Sequence, residues 1–131
     1  MKTILLIEDR TEIRENTAEI LELEGYRVIQ AENGQRGLEL IAQQHPDVIL
    51  CDIMMPVKNG YEVFTELINN PETAGIPFVF LTASVERSEV EKGIGMGANG
   101  YVRKPFQKLE LMDALHQALY PNEVNQSGSG S

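Results

Sequence analysis

The chain has no tryptophan, one cysteine (Cys51) and two histidines, with only four tyrosines and four phenylalanines among 131 residues. A single thiol cannot close an internal disulfide, so a cystine-stapled secreted fold is excluded and a reducing, cytoplasmic setting is expected. Basic residues are scarce as well: 11 Lys and Arg face 20 Asp and Glu, a formal charge of −9. Such a surface repels phosphate backbones and anionic lipid heads, so neither direct nucleic-acid binding nor membrane binding is expected. No apolar run approaches the ~20 residues that span a bilayer. Met1-Lys2-Thr3 leads into an Ile-Leu-Leu-Ile run that stops at Glu8-Asp9, too short for a signal peptide. What the chain does have is Ile, Leu, Val and Phe at 37 of 131 positions. That is well above the one-fifth or so typical of disorder, and the length suits one domain.

Two periodicities alternate along it. Short apolar runs at Thr3–Ile7, Tyr26–Ala31, Asp47–Cys51, Pro77–Leu81 and Tyr101–Arg103 are too brief for stable helices and suit buried strands. Between them the spacing is helical: Ile13, Thr17, Ile20 and Leu21 share a face, as do Phe64, Leu67 and Ile68, and Leu111, Leu115, Ala118 and Leu119. A weaker helix is predicted from Gly37 to Gln43. Another is predicted from Ser88 to Met96, opened by a Ser88/Glu91 capping box. Five βα units with strands buried on both faces call for an α/β fold, a doubly wound five-stranded parallel sheet with helices on each side. Residues 1–120 are expected to form the domain. Residues 121–131, ending Ser-Gly-Ser-Gly-Ser, read as a flexible linker or an expression-derived scar.

In an open parallel sheet, ligands bind beyond the carboxyl ends of the strands. There the first run ends in Glu8-Asp9, the third in Asp52, the fourth in Thr82 and the fifth in Lys104. Three carboxylates close together cannot all stay ionised without a cation, and an all-oxygen set favours Mg²⁺ over zinc. Lys104 by charge and Thr82 by hydrogen bond suit phosphoryl oxygens. A carboxylate in such company can itself become an aspartyl phosphate. Asp52, alone at its strand end, is the best nucleophile, which leaves Glu8 and Asp9 to hold metal.

Glu8-Asp9, the stretch Asp52-Ile53-Met54-Met55-Pro56-Val57-Lys58-Asn59-Gly60, Leu81-Thr82-Ala83, and the stretch Gly97-Ala98-Asn99-Gly100-Tyr101-Val102-Arg103-Lys104-Pro105-Phe106 together closely resemble the receiver domain of bacterial two-component response regulators, the CheY-like domain. The resemblance runs from Lys2 to about Leu119. It implies a flavodoxin-like (βα)5 fold with strand order 2-1-3-4-5, an order the periodicity itself does not supply. It implies that Asp52 accepts phosphate from a histidine kinase or a histidine phosphotransfer protein. It implies Mg²⁺ held by Asp9, Asp52 and the Met54 carbonyl, with Glu8 acting largely through water. Thr82 would then move toward the phosphoryl group while Tyr101 turns inward, repacking the face of the fourth helix, fifth strand and fifth helix toward an output partner. The Lys104-Pro105 bond is expected to be cis. A monomer or a phosphorylation-dependent dimer fits the family, as does a receiver cut from the N-terminus of a longer regulator. Such domains are regulatory phosphoacceptors that catalyse only their own phosphorylation and dephosphorylation. The positions two after the acceptor and two after the threonine, Met54 and Ser84, offer no strong group to orient water, so slow self-dephosphorylation is expected.

Competing readings make different demands. Alone, Glu8-Asp9 could cap a helix, Asp52 a loop, and Tyr101 could merely pack. An aspartyl-phosphate phosphatase of the haloacid-dehalogenase kind needs a second aspartate where Met54 stands. A flavin binder needs a phosphate cradle, and Glu8-Asp9-Arg10-Thr11-Glu12 is too acidic for one. Gly95-Met96-Gly97-Ala98-Asn99-Gly100 matches G-x-G-x-x-G but closes a helix before a strand, the reverse of a dinucleotide loop. Cys51 is expected to pack, the Met54-Met55 pair to serve the loop and the core rather than act as sulfur ligands, and His45 and His116 to be solvated or structural.

Overall fold

Each apolar run becomes a strand: β1 (Thr3–Ile7), β2 (Arg27–Ala31), β3 (Val48–Asp52), β4 (Phe78–Thr82) and β5 (Gly100–Arg103). They alternate with helices α1 (Thr11–Leu23), α2 (Gly34–Gln44), α3 (Gly60–Ile68), α4 (Arg87–Gly95) and α5 (Lys108–Leu119). This computed structural model describes residues 1–83 and 87–121, with backbone alone at 87–90. Ser84, the Ser88 side chain of the expected capping box and all of the expected tail but Pro121 lie outside the described residues. The strands form one parallel sheet in the order β2-β1-β3-β4-β5. The doubly wound, flavodoxin-like α/β fold expected from the sequence is present.

Alternation along the strands builds two cores. Leu5, Ile7, Ile49, Cys51, Phe78 and Phe80 face one layer with Leu40 and Ile41 of α2 and Val63, Phe64 and Leu67 of α3. Ile4, Leu6, Val48, Leu50, Val79 and Leu81 face the other, with Ala18 and Leu21 of α1 and Leu111 and Leu115 of α5. Every residue of β3 and β4 is buried, which explains sequences that stay apolar up to their last residues, Asp52 and Thr82. At roughly 1.5–3 kcal/mol per buried large aliphatic or Phe side chain, these layers fix the height at which each strand stops.

The differences from the sequence reading have local causes. Asp47 does not enter β3; its Oδ2 accepts the Thr3 N–H at 2.7 Å and ties the two strand starts together. Asp52 and Thr82 are the last residues of their strands rather than the first beyond them, because Ile53 N–H still donates to Leu81 O and Lys104 N–H to Thr82 O. Helix α2 starts three residues early, at Gly34, since Asn33 Oδ1 accepts the Arg36 N–H at 2.8 Å and caps it. Ile68, expected on the apolar face of α3, is 40% exposed where that short helix ends. The Gly95–Gly100 stretch closes α4, with Gly97 at φ +106, and leads into β5.

Candidate functional site

Parallel strands of matched length bring their last residues to one rim. There the Glu8, Asp9 and Asp52 carboxylates offer oxygens within 4.8 Å of one another. Glu8 is fully buried, and its Oε1 accepts a hydrogen bond from Lys104 Nζ at 2.6 Å. The same ammonium lies 3.3 Å from Asp52 Oδ2. Two carboxylate oxygens, Glu8 Oε2 and Asp9 Oδ1, are buried with no hydrogen-bond partner among the described residues. Burial raises the pKa of Glu8, its contact with Asp52 adds to this, and Lys104 opposes it. Four ionisable groups carrying up to three negative charges and one positive charge therefore share a small volume.

Local backbone chemistry holds them. Gly60 opens α3 directly against the end of β3: its N–H donates to Ile53 O at 2.9 Å, and a Cβ there would stand 2.6 Å from Asp52 O. Only glycine permits that approach. Asn59 caps α3 through a reciprocal box, its Oδ1 accepting the Glu62 N–H while Glu62 Oε1 accepts the Asn59 N–H, both at 2.9 Å. Between Asp52 and this cap the chain turns through Val57 at φ +69, a left-handed conformation that is costly for a β-branched residue. On the other side, Arg14 of α1 donates from Nη1 to Glu8 O at 2.9 Å and from Nε to Gln30 Oε1 at 3.3 Å. This clamp on the acidic loop was missed in the sequence, where the only signal was a long cation on a partly buried flank of α1.

Asp52, Lys104, Met54, Ala83, Arg10 and Phe106 are among the residues lining a cavity of about 480 Å³ that opens between α1 and the β5–α5 connection. Met54 is 69% exposed, whereas Met55 turns into the core. Thr82 is buried at the end of β4; Tyr101, two residues before Arg103 that pairs with it, is 42% exposed. The Lys104-Pro105 peptide is cis. Cys51 is wholly buried, its Sγ donating to Asp52 O at 3.3 Å. Burial lifts its pKa well above 9.0, and the Asp52 and Glu8 charges push the same way, so it stays a neutral thiol. His45 closes α2 in a left-handed conformation and His116 packs on Tyr120; neither reaches the site.

The sequence model of the response regulator receiver domain matches residues 4–116. The chain is 39% identical over 118 residues to the phosphate regulon transcriptional regulatory protein PhoB of Pseudomonas aeruginosa, covering 90% of this chain and 52% of that protein. It is 35% identical over 118 residues to the chemotaxis protein CheY of Halobacterium salinarum, covering 90% of this chain and 97% of that one. The chain thus spans about half the length of some curated relatives and nearly all of others. Among solved structures, chemotaxis protein CheY4 of Vibrio cholerae superposes with a TM-score of 0.85 at 28% identity, over 91% of this chain and 99% of that one. Among the described residues no helix is long and apolar enough to cross a membrane.

Proposed function

This chain belongs to the response regulator receiver domain family, and from that we propose that it is a phosphorylation-controlled switch with Asp52 as the phosphoacceptor. The observation that carries the reading is the meeting of Glu8, Asp9 and Asp52 within 4.8 Å beside the Lys104 ammonium. Receiver domains generally bind Mg²⁺ at an acidic pocket, and this donor set fits: the oxygens are hard, and two buried ones lack any partner. Asp9, Asp52 and the Met54 carbonyl would hold the ion, with Glu8 acting through water. Bound there, Mg²⁺ would supply neutralisation of the carboxylates and of the incoming phosphoryl oxygens.

The chain's own groups divide the remaining work. An Asp52 carboxylate oxygen forms the new P–O bond as the donor's P–N bond breaks. Lys104, already 3.3 Å from Asp52, exchanges part of its contact with Glu8 for phosphoryl oxygens. The Thr82 hydroxyl meets a third oxygen, and the half-exposed Tyr101 ring turns in behind it, altering the α4–β5–α5 face that an output partner reads. The donor is a histidine kinase or histidine phosphotransfer protein, and the chain acts as a regulatory domain, not an enzyme with a separate substrate. Residues 1–120 make up this unit, and the composition of 121–131 reads as a flexible linker or an expression-derived scar. Met54, apolar at the mouth of the cavity, orients no hydrolytic water and favours a long-lived phosphoryl group.

Mass spectrometry after incubation with Mg²⁺ and phosphoramidate tests the assignment. One added phosphoryl group is expected in the wild type and none in Asp52→Asn. An equal yield in the variant would remove Asp52 as the acceptor.

A further inference from the structure

Arg10 stands at an unusual place for its charge. It is the N-cap residue of α1, immediately after Asp9, and its side chain makes no capping hydrogen bond. Helix N-termini favour Ser, Thr, Asp or Asn at this position and repel cations, because the first-turn N–H groups already carry partial positive charge. The guanidinium makes no ion pair among the described residues, although Glu12 lies two residues away and the chain carries nine excess negative charges. It is exposed, and it lines the same cavity as Asp52 and Lys104. A cation therefore stands at a helix start that disfavours it, lining one cavity with Asp52, with no ion-pair partner among the described residues.

Charge accounting in the cavity supplies an explanation. Glu8, Asp9 and Asp52 against Lys104 leave a net charge of −2 when all are ionised, which a divalent cation would bring to neutrality. Besides that ion, a phosphoryl group arriving with two negative charges then finds Lys104 as its one ion-paired cationic side chain among the described residues, and Lys104 is shared with the buried Glu8. A guanidinium is planar, permanently charged and forked, which suits two phosphoryl oxygens at once.

We propose that Arg10 is a further phosphoryl-binding residue, gripping the donor's phosphoryl group from the α1 side of the cavity while Lys104 holds it from the β5 side. The inference rests on Asp52 being the acceptor, and it adds a recognition element for dianionic phosphoryl donors. The transfer itself keeps its balance. The Asp52 oxygen bonds to phosphorus, the P–N bond of the donor breaks, and its electron pair stays on the nitrogen, which is already protonated in phosphoramidate and departs as neutral ammonia. Arg10 donates hydrogen bonds throughout and exchanges no proton.

The test uses the whole chain with Mg²⁺ and two probes, beryllofluoride as a phosphoryl mimic and phosphoramidate as the donor. Arg10→Gln is expected to weaken beryllofluoride binding about tenfold and to raise the KM for phosphoramidate similarly, as loss of one charge-assisted contact would. Arg10→Lys should fall between the two. Mg²⁺ affinity, followed by calorimetry without the anion, is expected to hold or to tighten in Arg10→Gln, since a cation has left an acidic site; Tm should not fall. Anion binding and donor KM unchanged from wild type would overturn the proposal. So would a parallel loss of Mg²⁺ and beryllofluoride affinity, which would mean that Arg10 merely shapes the loop. If the wild type itself bound no beryllofluoride with Mg²⁺, or if Asp52→Asn were phosphorylated normally, the acceptor assignment would fail and this inference with it. Failure of Arg10 alone leaves Asp52 untouched.

Discussion

Among the three clustered carboxylates, Asp9 is the one the protein fold uses least. Glu8 is engaged by Lys104 and Asp52 lies beside the same ammonium, but Asp9 Oδ1 is buried and unpartnered among the described residues. Without a cation its charge mainly opposes two neighbours within 4.8 Å. At an effective dielectric near 20 that repulsion is of order a few kcal/mol, partly relieved by solvent on its open side. Asp9→Ala is therefore expected to raise metal-free stability by about 1 kcal/mol in urea denaturation, while Mg²⁺ titration should show a large loss of affinity. A less stable metal-free variant would mean that Asp9 serves the loop's structure rather than the cation. Residue identity at strand ends was legible because parallel strands turn a one-dimensional pattern, apolar run then polar group, into a three-dimensional cluster. Arg14 and Arg10 were not legible that way. Their parts depend on where α1 lies over the Glu8 carbonyl and the cavity, and helical spacing does not carry that information.

At the scale of elements, the sequence showed where each helix has an apolar stripe but not how closely it packs. The early start of α2 shows why. Gly34 and Gly37 contribute nothing to a hydrophobic pattern, yet a Cβ at Gly37 would collide with Ile7 Cδ1, and one at Gly34 would stand 2.7 Å from Val63 Cγ2. These glycines are the contact surface. Gly93 of α4 is similar, with Phe80 2.9 Å from a virtual Cβ, so a position that lowers helix propensity also seats α4 on β4. Gly95, one turn-fraction further, faces open space. A paired substitution separates propensity from packing. Gly95→Ala should stabilise by up to about 1 kcal/mol, the ordinary helical gain over glycine. Gly37→Ala receives the same gain but overpacks against Ile7, and a net loss of about 1–2 kcal/mol is expected. Denaturation midpoints of the two variants measure this directly. If both moved upward together, close α2 packing would not be what demands glycine at position 37.

For the molecule as a whole, the central strand joins stability to chemistry. β3 lies between β1 and β4 and contributes to both cores: Cys51 sits in one, Leu50 in the other, and Asp52 ends the strand at the site. Exposing the Cys51 thiol means removing β3 from the sheet, which dismantles both layers at once. Its alkylation should therefore report global opening, not local fraying. The thiol's raised pKa acts in the same direction, because a neutral buried sulfur is unreactive until the chain opens. An ion that binds only the folded site stabilises that state by mass action, about 2.7 kcal/mol when its concentration is 100 times its Kd. With Mg²⁺ at that excess, alkylation of Cys51 in the wild type is expected to slow about 100-fold. In Asp9→Ala the same concentration of Mg²⁺ should have little effect. The rate is followed by mass spectrometry against a thiol reagent under conditions where reclosing outpaces reaction. If calorimetry shows Mg²⁺ bound while the wild-type rate stays unchanged, then β3 can expose its thiol with the acidic rim intact. The fold would then not open as one cooperative unit, and ion binding at the Asp52 rim would not be coupled to the stability of the sheet behind it.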